Sequence, residues 1–297
     1  MAVELPQEIV DKIVDEIALD ECGDVRDQAR NMKMFSLISS KWLHRSRKHL
    51  FQTMEFTSDN FKTWCKTVRP GVDGPSPHIT HLRYRASWPE VERKVGPLKG
   101  FARSPSHISA FTNLRTLHLV DISLQHASYL ACFRVLATIV CELWLEDCQM
   151  DINQLVSFIW PFTNLERLRL MRPQCAGKRE LPQSVLAELP PLKGTLEFHQ
   201  SRMTASGNTA SFIHDLSLIP SHINTMIFRE RLDTPEAANE LLAASHKTLT
   251  ELTFGHNCKA YFRHRIRDPS SPSHVGIFSY PEGHQLEALE CPQKAGT

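Results

Sequence analysis

The stretch Leu165-Glu166-Arg167-Leu168-Arg169-Leu170 puts leucines at positions one, four and six, with charged residues between them. Alternation over the last four positions is the mark of a strand with one buried face. The same apolar-x-x-apolar-x-apolar hexad recurs as Ile79 to Tyr84, Leu114 to Leu119 and Val140 to Leu145. Weaker copies run from Lys193 to Phe198 and Ile223 to Phe228; Leu249 to Phe254 follows, and Leu286 to Cys291 is read as the last. The fourth positions are 82, 117, 143, 168, 196, 226, 252 and 289, with spacings of 35, 26, 25, 28, 30, 26 and 37.

Helical patterns lie between the copies. Ser123 to Thr138 carries Leu124, Ala127, Leu130 and Leu136, and Asp151 is placed to cap Ile152 to Ile159. Thr234-Pro235-Glu236 is a helix start, with a capping hydroxyl, a proline in the first turn and an acid beside it. Strand plus helix, repeated, builds an α/β solenoid with parallel strands on the concave face and helices on the convex face. The alternative is an ordinary α/β domain with helix-joined parallel strands, which the 35- and 37-residue gaps leave open.

The N-terminus is patterned differently. Leu5, Ile9, Val10, Ile13, Val14 and Ile17 recur at helical spacing, with Pro6 in the first turn and acids Glu4 and Glu8 near the positive end of the helix dipole. A second helix is expected after Asp24, through Leu37 and Ile38. A third carries Trp42, Leu43, Leu50 and Phe51, with Lys41, Arg45, Arg47 and Lys48 on its wet side. This three-helix unit is too short to bury all its apolar anchors alone. A further helix is expected over Ser58 to Val68 with Ser58 as its cap, followed by the breaker-rich Arg69 to Pro77. The expected organisation is therefore residues 1–56 as a helical unit, 57–77 as a linker helix and junction, and 78–297 as the repeat domain.

Leu5-Pro6-Gln7-Glu8-Ile9, the segment Ser36-Leu37-Ile38-Ser39-Ser40-Lys41-Trp42 and the basic run ending in Leu50-Phe51 together resemble the F-box, over roughly residues 3–56. The polar stretch Leu19 to Arg30 is longer than the family's tight connection. The hexads resemble the degenerate leucine-rich repeats that follow F-boxes, most like those of fungi. The middle spacings fall in or just beyond the ~20–29-residue period of such repeats, although the usual Asn after the strand is mostly missing.

The resemblance implies a substrate-receptor subunit of a cullin–RING (SCF-type) ubiquitin ligase. Leu5, Pro6, Ile9, Val10, Ile13, Leu37, Ile38 and Trp42 match the positions that face a Skp-family adaptor, and through it a cullin. The repeats would hold an unknown target protein. If hexad positions one, four and six are core, positions three, five and seven lie on the open face. Those positions supply the candidate target-binding residues Arg83, Arg85, His118, Trp144, Glu146, Arg167, Arg169 and Arg229. Glu197 and His199 fall on the same face. Trp144 is the large aromatic among them, read either as an interface anchor or as a ring stacked on Arg169. Two other readings stay open: a leucine-rich-repeat scaffold whose N-terminal helices only cap the first repeat, and an enzyme with a site of no known motif.

Composition bounds the rest. With 41% hydrophobic and 23% charged residues and a net charge of +1, the chain has an ordinary globular make-up and no global field towards nucleic acid or membrane. No signal-peptide pattern or membrane-length apolar run occurs, and eight scattered cysteines without a Cys-x-x-Cys pair suit reduced thiols in a cytoplasmic or nuclear setting. There is no phosphate-cradling glycine loop, Gly-x-Ser-x-Gly elbow or His-Glu-x-x-His, and no zinc-ligand spacing. No cofactor and no catalytic residue is expected. Lys259 to Arg267 mixes bases and aromatics, a pattern read as a solvated loop or a phosphate-backbone contact.

Overall fold

The computed structural model describes residues 5–18, 31–70, 74–86, 104–125, 131–175, 191–199, 208–229 and 235–254. The chain is α/β, with a large parallel sheet of eight strands. It divides into two compact units, one of residues 1–118 with 131–139, the other of residues 119–130 with 140–297.

In the first unit, α1 (Gln7–Ala18) packs on α2 (Ser40–Gln52). Residues 31–35 are helical and residues 36–38 form a turn, so Leu37 and Ile38 fall past the helix rather than within it, and the expected start after Asp24 lies outside the described residues. Val10 and Val14 are fully buried. A second tie is polar: Asp15 binds both Arg45 and His49 of α2, at 2.6 Å to Arg45 Nε and 2.6 Å to His49 Nε2. Arg45 is therefore half-buried against α1 rather than fully on the wet side of its helix. Its hydrogen bond to Asp15 is the main reason the carboxyl sits low, at about 2, against the upward push of burial and with help from His49.

Strand β1 (Thr53–Phe56) follows α2 directly and pairs in parallel with β2 (His81–Arg85), Met54 opposite Leu82 and Phe56 opposite Tyr84. The sequence reading ends the helical unit here without a strand. Yet Phe51-Gln52-Thr53-Met54-Glu55-Phe56 has the hexad pattern, and Met54 lies opposite the fourth position of the next copy. Phe56 anchors an aromatic cluster, with ring centroids 5.1 Å from Phe61 and 5.3 Å from Trp64. Both belong to α3 (Ser58–Thr67). The cap of α3 is Thr57, not Ser58. Its hydroxyl accepts from the Asn60 amide, while Asn60 Oδ1 accepts from the Thr57 amide at 2.6 Å. The short α4 (Pro105–Ser109) and a 3-10 turn over Ala131–Leu136 complete the described part of this unit. That turn stands where the sequence reading places a helix over Ser123 to Thr138. Strand β3 (Thr116–Val120) spans the division between the units and is buried throughout.

In the second unit, β4 (Glu142–Glu146), β6 (Arg167–Met171), β8 (Leu192–His199), β9 (Ser221–Arg229) and β10 (Glu251–Phe254) are parallel neighbours in that order. From the third position on, their registers align the hexads position for position. Leu143, Leu168, Leu196, Met226 and Leu252 make one row of fourth positions, and Leu145, Leu170, Phe198, Phe228 and Phe254 the row of sixth positions. Helices α5 (Ile152–Ile159), α6 (Asn208–Ser217) and α7 (Pro235–Ser245) alternate with the strands. Asp151 caps α5 as expected, in a box with Gln154 at 2.8 and 2.9 Å. The hexad Leu286 to Cys291 and the basic stretch Lys259 to Arg267 lie outside the described residues.

A second repeat, of backbone geometry, accompanies the hexads. Asp121, Asp147 and Arg172 each stand one residue past their strand with a positive φ, at 56°, 52° and 49°. Each donates its amide to the carbonyl that ends the next strand: Glu146, Met171 and His199, at 3.0, 2.9 and 2.7 Å. The chain then forms β5 (Gln149–Met150) and β7 (Gln174–Cys175), which pair in parallel. This costs left-handed strain at three non-glycine residues. The strain is offset in part because Arg172 binds Asp147 at 2.9 Å and Glu146 at 2.6 Å, tying one turn to the next.

The weak copy at Lys193 has a physical reason. Gly194 has φ 77° beside a register shift, and a Cβ there would lie 2.0 Å from the Glu166 carbonyl oxygen. That oxygen accepts from the Thr195 amide at 2.7 Å, so it cannot retreat without breaking the strand pairing. Gly194→Ala is therefore expected to destabilise the fold by at least about 2 kcal/mol, combining left-handed strain with the clash. Thermal unfolding checks this, with Lys193→Ala, an exposed neighbour, as the unchanged control.

Among the described residues, no helix is long and apolar enough to cross a membrane.

Candidate protein-interaction surfaces

On the N-terminal helices the apolar stripe divides in two. Val10 and Val14 face inward, whereas Leu5 is 42% exposed and Ile9 45%. Residues 36–38 form a turn ahead of α2, and there Leu37 is 79% exposed and Ile38 58%. Met34 is exposed beside them. The Gln7 side chain donates to the Lys41 carbonyl at 2.9 Å, which fixes the start of α1 against the start of α2. Both groups of exposed apolar residues therefore sit at the same end of the helix pair. Trp42 is half-buried, its ring 5.5 Å from that of Phe35.

Of the eight candidate adaptor-facing residues, Leu5, Pro6, Ile9, Leu37 and Ile38 are exposed and Ile13 and Trp42 half-buried. Val10, at 1% exposure, is committed to the α1–α2 core and offers nothing to a partner. A helix of this kind shows alternate parts of one stripe to its own unit and to the outside, and only the side chains' burial separates them. Met34 was not among the residues singled out from sequence, although it stands three residues before Leu37.

The strand face of the second unit carries a polar network. Its centre is Glu197, 1% exposed, the fifth position of its hexad. Its carboxylate binds Arg169 at 2.7 Å, Arg229 at 2.6 Å and His199 at 2.8 Å. The Arg169 guanidinium in turn lies 4.1 Å over the Trp144 ring, and the Trp144 indole N–H donates to Glu142 at 3.3 Å. Glu142 also faces Arg167 at 3.8 Å. Burial pushes Glu197 upward, but the His199 hydrogen bond, the Arg169 charge and the Arg229 hydrogen bond outweigh it and hold the group at about 2. A carboxylate so stabilised remains ionised and is a weak base, so it organises its neighbours rather than moving protons.

This places most of the candidate target-binding residues. Trp144, Arg167, Arg169 and Arg229 share the network, and Glu146 binds Arg172 at the turn. In the first unit, Arg83 and Arg85 flank Glu55 at 3.4 and 3.8 Å. His118, expected on the open face, is instead 5% exposed and meets the His81 ring edge-on at 6.0 Å. Its strand is closed on both faces: Thr116 and Val120 are buried with it. Glu197 lies on the expected face, but beneath its three partners rather than in the open. The register pairing Arg169 with Glu197 was the signal that could have found it.

Among the described residues no group of three or more His, Cys, Asp or Glu side chains could hold a metal ion. Cys148 is fully buried and its thiol is pushed up to about 12 by burial, which makes it a poor nucleophile. A comparison with models of known protein families finds no match, and a comparison with curated proteins finds none either.

Glu197 has a testable signature. Because its folded value lies below the ordinary 4.5, its stabilisation is complete above that pH and is lost as pH falls towards about 2. Glu197→Ala is expected to cost about 3 kcal/mol at pH 7, leaving the largely buried Arg169 guanidinium unpaired. Denaturant unfolding of both proteins between pH 7 and pH 2 checks it: the gap should close as the wild-type carboxylate is protonated.

Proposed function

We propose that the chain is the substrate-receptor subunit of an SCF-type ubiquitin ligase, docking a Skp-family adaptor through its N-terminal helices and a target protein through its strand face. The observation that carries the reading is the apolar cluster Leu5, Ile9, Met34, Leu37 and Ile38, left exposed at one end of α1 and α2. It coincides with the residues that resemble the F-box. Fully burying a side chain of this size against a partner contributes about 2 kcal/mol, so five of them amount to a strong docking surface. Nothing else in the described residues of the N-terminal helices needs that exposure.

The strand face supports the second half of the reading. Its charges are held in fixed pairs, and rigid Trp and Arg side chains of that kind are the ones that anchor interfaces. The chemistry of ubiquitin transfer would belong to other subunits. This chain's contribution would be to hold the target at high effective concentration.

Ile9→Asp combined with Leu37→Asp tests the adaptor half. Both side chains are exposed, so thermal stability should stay near wild type. Recovery of a Skp-family adaptor in co-purification should fall at least tenfold, since each charge forfeits about 1–2 kcal/mol of apolar contact. Undiminished recovery from the folded double variant would refute the reading.

A further inference from the structure

A cavity of about 500 Å³ opens in the first unit, lined by none of the exposed apolar cluster and built from four segments. Lys48 comes from α2, His78 from the turn before β2, and Thr112 and Arg115 from the approach to β3. Leu114 and Ile139 supply apolar wall. Backbone bonds fix these segments to one another. The Thr80 amide donates to Gln52 O at 2.9 Å, and Thr80 O accepts from the Arg115 and Thr116 amides at 2.8 and 2.9 Å. The Asn113 side chain donates to Pro77 O at 2.7 Å. The backbone framing the cavity is thus fixed before any ligand arrives.

Its charge is one-sided. No Asp or Glu stands among the described lining residues, and neither Lys48 nor Arg115 is ion-paired with a described residue. The contrast with the strand face is sharp, where the arginines have carboxylates beside them. His78 responds to the same field: burial first, then the charges of His44 and Lys48, press it towards its neutral form.

We propose that this cavity binds a phosphate monoester, with Lys48 and Arg115 holding the dianion and the Thr112 hydroxyl donating to it. A guanidinium fork beside an ammonium suits the several acceptor oxygens of a phosphate better than a single carboxylate. The volume is large against the ~30 Å³ share of one water. Room therefore remains for the organic part of the ester against Leu114 and Ile139. The inference stands apart from the adaptor reading, because it uses none of the exposed apolar residues.

The test is calorimetric titration of the full chain with two phosphate monoesters: glycerol phosphate, and a short peptide carrying one phosphoserine. The unphosphorylated peptide is the control. Binding of either ester, weakened at least about tenfold by Lys48→Gln with Arg115→Gln, is expected, as loss of charge-assisted hydrogen bonds requires. Tighter binding of the peptide would identify a protein side chain as the source of the phosphate, and equal or tighter binding of glycerol phosphate a small metabolite. Both residues are exposed, so the double variant should unfold at the wild-type temperature. Arg115→Lys, which keeps the charge but loses the fork, should fall between the two. Failure of both esters to bind, binding unchanged in the folded variants, or equal binding of the unphosphorylated peptide would overturn the proposal.

Discussion

Register is what the second unit depends on. Five parallel strands stack their fourth hexad positions in one row, Leu143 to Leu252, and their sixth in another, Leu145 to Phe254. A slip of one residue in any strand would turn its apolar pair outward and its charged residues inward. The left-handed turns at Asp121, Asp147 and Arg172 reinforce the same alignment, because each hands its amide to the end of the next strand. Gly194 then absorbs the one irregularity, giving β8 the bulge it needs to approach the Glu166 carbonyl. Apolar rows set the register and the turns keep it.

The strands and several helices were readable from sequence because both depend on short-range pattern. Hexads from Ile79 to Phe254 became strands, most of them beginning at the third hexad position and two, β8 and β9, enclosing the whole hexad, and the Asp151 cap was found with its helix. What escaped had a local competitor. Phe51 to Phe56 has the hexad pattern but runs on from a basic amphipathic helix, so the helical reading absorbed it. Thr57 and Ser58 are both competent caps, and only the backbone decides between them. Asp15 pairing with Arg45 crosses 30 residues of sequence and leaves no periodic trace.

The same limit governs the candidate surfaces. Periodicity identifies a stripe but does not divide it between a unit's own core and a partner. Val10 and Ile9 are adjacent members of one stripe, yet one is buried and the other open. Strand alternation likewise assigned Glu197 to the right face without showing that two arginines and a histidine would cover it. Depth of burial is a tertiary property. It depends on which long side chains fold over a position, and an arginine on the next strand can reach across a register pair as readily as it can point to water.

That covering makes the strand face a coupled surface rather than a set of independent contacts. The Arg169 guanidinium lies over the Trp144 ring, and Arg169 is oriented by Glu197. A cation over an indole is worth about 0.5–2 kcal/mol depending on desolvation, less than the ion pair that holds Arg169 in place. The ring is thereby linked to the buried carboxylate through Arg169. Arg229 reaches the same carboxylate from the other side with a half-exposed side chain, so a ligand engaging Arg229 would draw on charge that Glu197 also shares with Arg169. Binding at one edge of the face would change the electrostatic hold on the aromatic at the other. The physical link is one buried anion shared between two arginines and His199.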